Sequence, residues 1–82
     1  MCQNAFANFL LFLDELERRK IAYDIVHVRS DTLMAQLYVP GQRWEVEFYA
    51  DGRIELEVFQ GSSGVKYVKY EDLLERLGPY SD

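Results

Sequence analysis

The chain is short of several residue types, and each shortage argues against a class of protein. It contains one cysteine, Cys2, so no disulfide can form within it. It has 9 lysines and arginines against 14 aspartates and glutamates, which gives a net charge of −5. DNA, RNA and anionic membranes are bound through a basic field, which such a chain lacks. The charge favours either a cationic partner or solubility alone.

Long hydrophobic runs are also missing. The stretch AFANFLLFL is far shorter than a membrane span. No basic residue precedes it, and DELERRK follows it instead of a small-residue cleavage site, so it does not resemble a signal peptide. With the lone cysteine, this predicts a protein of the reducing cytoplasm.

What the chain does contain is enough apolar material for one core. Hydrophobic residues make up 49% of its 82 residues, which predicts a single domain over residues 1–82. The first helix is expected from Asn4, a suitable N-cap, to Lys20. At about 100° per residue its apolar positions share one broad face. They are Ala5, Phe6, Phe9, Leu10, Phe12, Leu13 and Leu16.

Four strands are expected next, and the short turns between them indicate an antiparallel meander. The predicted ranges are Tyr23–Arg29, Thr32–Val39, Arg43–Tyr49 and Arg53–Phe59. Gln60 to Gly64 is predicted to be a loop, and Val65–Val68 either a short extra strand or an extended lead-in. A last helix is expected from Tyr70 to Leu77, where Gly78-Pro79 stops it.

The pairing register follows from hydrophobic patterning, because residues directly opposite in an antiparallel pair share a face. A two-residue loop at Asp51-Gly52 would mix apolar and charged residues on both faces. A three-residue loop ending in a left-handed Gly52 places Tyr49 opposite Arg53, and every apolar residue of the hairpin then falls on one side. The apolar pairs are Trp44 with Val58, Val46 with Leu56, and Phe48 with Ile54.

The same hydrophobic pattern predicts the pairing registers of the other two hairpins. Closing at Pro40-Gly41 pairs Leu37 with Trp44, and closing at Ser30-Asp31 pairs Val28 with Leu33 and Val26 with Ala35. One sheet face is therefore expected to be apolar throughout and covered by both helices. The exception is Asp24, which this register places opposite Leu37.

The selected register puts four carboxylates on the other face of the sheet. Glu47 lies opposite Glu55, and Glu45 opposite Glu57; these four residues are called the acidic square. Like charges across a strand pair are destabilising. The first two strands would add further side chains to this face, and three more would lie at its edges. The added residues are Tyr23, Ile25, His27, Met34, Gln36 and Tyr38, with Tyr49, Arg53 and Phe59 at the edges.

No catalytic or metal motif is recognisable. His27 is the only histidine, and Cys2 has no neighbouring base. Flat strand faces seldom surround a cation with six or more oxygens, so no metal is expected at the acidic square. The segment GSSG lacks phosphate-loop spacing. We therefore predict no enzyme activity and no cofactor.

The stretch VPGQRWEVEFYADGRIELEVF, with FLDELERRKIAYDIVHVRSDTLMAQLYV before it, resembles a type of small bacterial orphan protein. That type has a VPG-x-RWEVEF-x-x-DG-x-IE-x-E-x-F core and a helix–meander–helix plan. The resemblance implies the fold and a bacterial or phage origin, and it implies no site residues. In size, acidity and layout the chain is also similar to immunity proteins, antitoxins and anti-defence inhibitors of phages.

The sequence thus predicts an α+β fold, a four-stranded antiparallel meander in the order 1-2-3-4 with both helices on one face. The predicted function is a non-enzymatic acidic binding protein that neutralises a basic protein by occlusion. The target would be a nuclease toxin or a nucleic-acid-handling defence effector. The alternatives are a structural homo-oligomer, such as a homodimer packed through its open sheet faces, and a small-ligand module or minor enzyme. The predicted contact residues are Glu45, Glu47, Glu55, Glu57, Tyr38, Tyr49, Met34 and His27.

Overall fold

A computed structural model describes residues 4–59 and 65–78 of the chain. Its helices and strands form one antiparallel sheet in the order β1-β2-β3-β4-β5, preceded and followed by a helix. The predicted α+β class and the meander of four strands are confirmed. The elements are α1 Ala5–Arg18, β1 Ala22–Val26, β2 Thr32–Val39, β3 Gln42–Tyr49, β4 Ile54–Phe59, β5 Val65–Tyr67 and α2 Tyr70–Leu77.

The fifth strand decides an alternative that the sequence left open. Val65–Tyr67 pairs antiparallel with β4 and places Tyr67 opposite Glu55. The segment is therefore a short edge strand. The predicted loop at Gln60 to Gly64 lies outside the described residues.

Helix α1 begins and ends with recognisable caps. The Asn4 side chain accepts hydrogen bonds from the backbone N–H groups of Phe6 and Ala7, at 2.9 and 3.3 Å. The helix ends two residues earlier than predicted, because Lys20 adopts a left-handed backbone with φ +58°. The Ile21 N–H then donates to the Leu16 carbonyl at 2.9 Å, which closes a Schellman-type cap and starts the path into β1.

The registers predicted for β2, β3 and β4 are confirmed. Trp44 lies opposite Val58 and Leu37 opposite Trp44. Gly52 has φ +101°, and the Tyr49 N–H donates to the Arg53 carbonyl at 2.9 Å, as the three-residue loop requires. The apolar face of these strands is set by the hydrophobic pattern, as a buried face demands.

The predicted register of β1 is wrong by one residue. Ile25, and not Val26, lies opposite Ala35, and β1 ends at Val26 instead of continuing to Arg29. Val28 therefore does not pair with Leu33. The physical reason is burial, because the observed register packs Tyr23 on the core and removes the Asp24 carboxylate from the apolar face.

This one-residue shift exchanges the two faces of β1. Tyr23 moves from the predicted open face to the helix-covered face, where it packs against the core. Its hydroxyl donates to Glu17 at 2.6 Å. Ile25 moves to the helix side with it, and Asp24 moves to the opposite side, facing Gln36. The shift removes the predicted anomaly of a carboxylate facing Leu37.

Both helices cover the same side of the sheet. The Phe9 and Phe12 rings pack on Phe48, with ring centroids 5.3 and 5.5 Å apart. Leu73 and Leu77 of α2 join the same core cluster. The largest fully buried side chains are Phe12, Leu16, Leu37, Leu56, Leu73, Leu77 and Val46.

Within the described residues, neither helix has the length and apolar character needed to cross a membrane.

Candidate functional site on the open sheet face

The sheet face away from the helices, called the open face, is the candidate site. Neither helix packs against it, because both contribute their buried residues to the core on the other side. The strand pairings define which residues it carries. They are Ala22, Asp24, Val26, Thr32, Met34, Gln36, Tyr38, Arg43, Glu45, Glu47, Tyr49, Glu55, Glu57, Phe59 and Tyr67.

One transverse row of this face is almost entirely acidic. Asp24, Gln36, Glu45 and Glu57 lie side by side on β1, β2, β3 and β4, and they are called the acidic row. Neighbouring strands are about 4.8 Å apart, so the row spans roughly 14 Å. The predicted pairing of Glu45 with Glu57 is confirmed, and Asp24 extends the acidic surface to the edge of the sheet.

The acidic row is only partly neutralised by the chain itself. An Arg43 guanidinium nitrogen lies 3.6 Å from a Glu45 carboxylate oxygen, too far for a good hydrogen bond. The Gln36 side-chain amide donates to Glu45 at 3.3 Å. At the row's end, the Tyr38 hydroxyl donates to Asp24 at 2.8 Å, and this bond to a carboxylate raises the pKa of Tyr38. Three carboxylates thus share one loosely placed arginine within the described residues.

A second row beside it supplies aromatic surface. Tyr38, Arg43 and Phe59 lie on consecutive strands, and the Arg43 guanidinium stacks 4.5 Å from the centroid of the Phe59 ring. Tyr38 is 43% exposed. Carboxylates next to stacked rings are the surroundings in which guanidinium groups bind well.

Glu47 differs from the other members of the acidic square, because it is buried. It is 3% exposed, and its Oε2 accepts hydrogen bonds from Thr32 Oγ1 at 2.6 Å and from Arg29 Nε at 3.0 Å. The nearby Glu47 charge in turn raises the pKa of Arg29. Glu47 is therefore a satisfied internal ion, and it offers little charge to a partner.

Two more predicted contact residues are also largely buried. Met34 is 9% exposed and Tyr49 is 8% exposed, and both lie beside Glu47. Burial, followed by the charges of Glu47 and Glu55, raises the pKa of the Tyr49 hydroxyl. The Arg53 guanidinium covers the Tyr49 ring at 4.2 Å. This end of the open face is a packed polar layer, whereas Glu45, Glu55 and Glu57 stay half-exposed.

His27 does not join the acidic square. It follows the end of β1 and lines a cavity of about 340 Å³ near the start of α1, together with Phe6 and Phe9. The prediction that placed it on the open face rested on the β1 register and is wrong for the same reason.

Two charged residues whose side chains reach this face were assigned wrongly from the sequence. Asp24 was assigned to the wrong side, although its unfavourable placement opposite Leu37 was a signal that the register needed a one-residue shift. Arg29 was assigned to a strand, and no sequence signal indicates that its loop carries it across to Glu47.

The chemistry available is recognition by charge, hydrogen bonding and ring stacking. Within residues 4–59 and 65–78, no three His, Cys, Asp or Glu side chains are arranged to hold a metal ion. Searches of protein-family models, curated proteins and solved structures find no match to this chain.

Proposed function

We propose that the protein is a non-enzymatic binding protein that neutralises a cationic protein partner by occluding it with the open face. The observation that carries this proposal is the acidic row. Two unit charges about 5 Å apart in water repel by roughly 1 kcal/mol, so the pair of Glu45 with Glu57 costs stability in the free protein. A cationic group placed between them would remove that cost.

The open face carries two kinds of contact residue, charged and aromatic. Asp24, Glu45 and Glu57 supply negative charge that the chain only partly neutralises, and this charge steers a basic partner and sets its orientation. Tyr38 and Phe59 supply apolar contact beside that charge, and aromatic side chains dominate the energy of many protein interfaces. The hydrogen bonds of Glu47 with Thr32 and Arg29 connect β3 to β2 and to the β1–β2 connection beside this surface.

The partner class follows from the charge. Proteins that act on nucleic acids carry basic clefts, and a chain of net charge −5 with an acidic row matches such a cleft. A nuclease toxin or a nucleic-acid-handling defence effector fits this description, in line with the likeness to immunity and anti-defence proteins. Because a lone cysteine needs no oxidising compartment, we place this action in the cytoplasm.

A double charge-reversal variant, compared with a control of equal net charge, tests the proposal. Glu45→Lys/Glu57→Lys changes the net charge by the same amount as the control Asp14→Lys/Glu75→Lys, whose sites are exposed on the helices. The probe is a labelled ten-residue arginine–lysine peptide, and fluorescence anisotropy is measured at about 50 and about 200 mM salt. We expect the first variant to lose binding at least tenfold more than the control, and wild-type binding to weaken with salt. Equal losses in both variants would mean that net charge alone is responsible, and the proposal would fail.

The natural partner is then sought by affinity capture from a bacterial lysate. A basic protein retained by wild type and by Asp14→Lys/Glu75→Lys, but not by Glu45→Lys/Glu57→Lys, is the expected result. The captured protein's own nuclease or nucleic-acid-binding activity is measured with and without the wild-type chain. Loss of that activity on binding is the outcome that occlusion requires, and an unaffected activity contradicts it.

A further inference from the structure

The first strand of the sheet lies at its edge. In the described ranges, 4–59 and 65–78, β1 pairs with β2 and with no other strand. Within those ranges the outward backbone groups of Ala22–Val26 therefore have no ladder partner. Exposed strand edges are sites at which a further strand is added.

A strip of exposed apolar side chains lies beside this edge on the helix side. Phe6 and Leu10 are one turn apart on α1 and are 59% and 45% exposed, and Ile25 of β1 is 53% exposed. These three residues are called the lateral strip. Single exposed apolar residues are common, but a contiguous set marks an interaction surface.

Contacts of α1 show that its exposed flank adjoins β1. At about 100° per residue, Phe6, Leu10 and Glu17 lie on the same flank of the helix. The Tyr23 hydroxyl of β1 donates to Glu17 at 2.6 Å. At the other end of the helix, Phe6 lines the same cavity as His27, just after β1. The flank therefore runs from β1 at Glu17 to the cavity beside His27 at Phe6, and Leu10 lies between these two points on the helix.

The residues of β1 favour a second copy of the chain as the added strand. In an antiparallel self-pairing, residues facing each other must lie on the same side of the sheet, so the two-fold axis passes through one residue position. An axis at Asp24 would place two carboxylates directly opposite each other. An axis at Tyr23 would pair Ile25 with Ile21, which is already buried in its own core beside the α1 cap. An axis at Ile25 avoids both conflicts.

We propose that β1 pairs antiparallel with β1 of a second copy, with Ile25 on the two-fold axis, to form a homodimer with a continuous ten-stranded sheet. Ile25 then faces Ile25 of the second copy, and the two lateral strips meet on the helix side. Asp24 faces Val26 and no like charge.

This dimer has a consequence for the open face. A two-fold axis perpendicular to the sheet keeps both open faces on the same side, and the Asp24 end of each acidic row lies next to the axis. The dimer would present two acidic rows side by side to one partner, and such bivalency raises avidity without any new contact. The dimer itself does not depend on the proposed function.

Oligomeric state is the first test. Wild type is expected to show a dimer mass by light scattering or sedimentation at about 100 µM and to dissociate on dilution. Ile25→Lys is expected to raise the dissociation constant at least tenfold, because a lysine would lie on the axis opposite its own copy. Leu11→Lys is the matched control, since Leu11 is 56% exposed and lies about 120° around α1 from that flank. A monomeric wild type, or a dimer that Leu11→Lys disrupts as strongly, would overturn the proposal.

Cysteine crosslinking tests the register and does not depend on a disruptive variant. In a Cys2→Ser background, Ile25→Cys places two thiols across the axis at a Cα separation of about 4.5–5.5 Å, which a disulfide accepts. Asp24→Cys is the control. We expect Ile25→Cys to form covalent dimers at least tenfold faster on mild oxidation. Faster crosslinking at position 24, or a wild-type dimer that dissociates on Glu57→Lys and not on Ile25→Lys, would show that the copies meet elsewhere.

Discussion

Arg29 donates a hydrogen bond from Nε to Glu47 Oε2 across 3.0 Å, and so links the β1–β2 connection to the middle of β3. The same carboxylate oxygen accepts the Thr32 hydroxyl at 2.6 Å. These two bonds explain how the sheet holds a nearly fully buried glutamate opposite Glu55. They also divide the four glutamates of the acidic square into one structural residue and three surface residues.

Glu47→Gln is expected to lower the free energy of unfolding by about 1–3 kcal/mol, because the buried Thr32 hydroxyl and the Arg29 guanidinium would lose their charged acceptor. Glu57→Gln is the matched control, and it should be neutral or stabilising by a few tenths of a kcal/mol, since it relieves repulsion with Glu45. Urea unfolding at pH 7 measures both. Equal changes in the free energy of unfolding for Glu47→Gln and Glu57→Gln would contradict the assignment of Glu47 as a structural residue and Glu57 as a surface residue.

Lys20→Gly is expected to stabilise the protein by up to about 1 kcal/mol. Lys20 occupies the left-handed cap position of α1 at φ +58°, where a side chain is strained and glycine is not. Lys20→Ala keeps the strain and removes the charge, so its thermal midpoint should stay near or below that of wild type. If the alanine variant is stabilised as much as the glycine variant, the effect comes from charge and not from backbone strain.

Gly52→Ala is expected to lower the free energy of unfolding by about 1 kcal/mol or more. The position has φ +101°, and a Cβ built there meets no atom within 4 Å. The cost is therefore conformational and not a clash. Gly52→Asn should cost less, because asparagine tolerates positive φ better than alanine does. Similar losses for alanine and asparagine would argue against a backbone origin.

Stability should fall at high pH, and Tyr49 should contribute to this loss. Burial raises the pKa of Tyr49 in the folded protein above its ordinary value near 10. The folded state then binds more protons than the unfolded state, so its stability is retained below pH 10 and declines as pH rises through the folded pKa. Tyr49→Phe should show a smaller decline between about pH 8 and pH 11. An unchanged pH slope in this variant would remove Tyr49 as a cause.

Much of the fold was predictable because its central strands have one buried face. Alternating residues such as Trp44, Val46 and Phe48 must all point to the core, so a slip of one residue would bury charges. The Gly52 loop and both helices followed from equally local signals. In the candidate site, the facing of Glu45 with Glu57 was correctly predicted, and the binding of a cationic partner stays a prediction.

The edge strand shows where this reasoning fails. In β1, Tyr23 is amphipathic and Asp24 is charged. Ile25 remains half-exposed even on the helix side. With little apolar area at stake on either face, the hydrophobic pattern hardly distinguishes the two registers. In the actual register Tyr23 packs on the core and donates to Glu17, and Asp24 faces Gln36. The contact with Glu17 comes from α1 and is not part of the strand pattern, so the only local signal was the unfavourable placement of Asp24 opposite Leu37.

The sequence by itself therefore determined the α+β class, the strand order, the register of β2 to β4 and the pairing of carboxylates on one face. It did so because burial of alternating apolar residues allows one solution. Only the tertiary structure decided that Asp24 joins the acidic row, that His27 leaves the face, and that Arg29 neutralises Glu47. These outcomes depend on how a loop and an edge strand settle against an already formed sheet, where the competing arrangements differ by one or two polar contacts and not by a buried core.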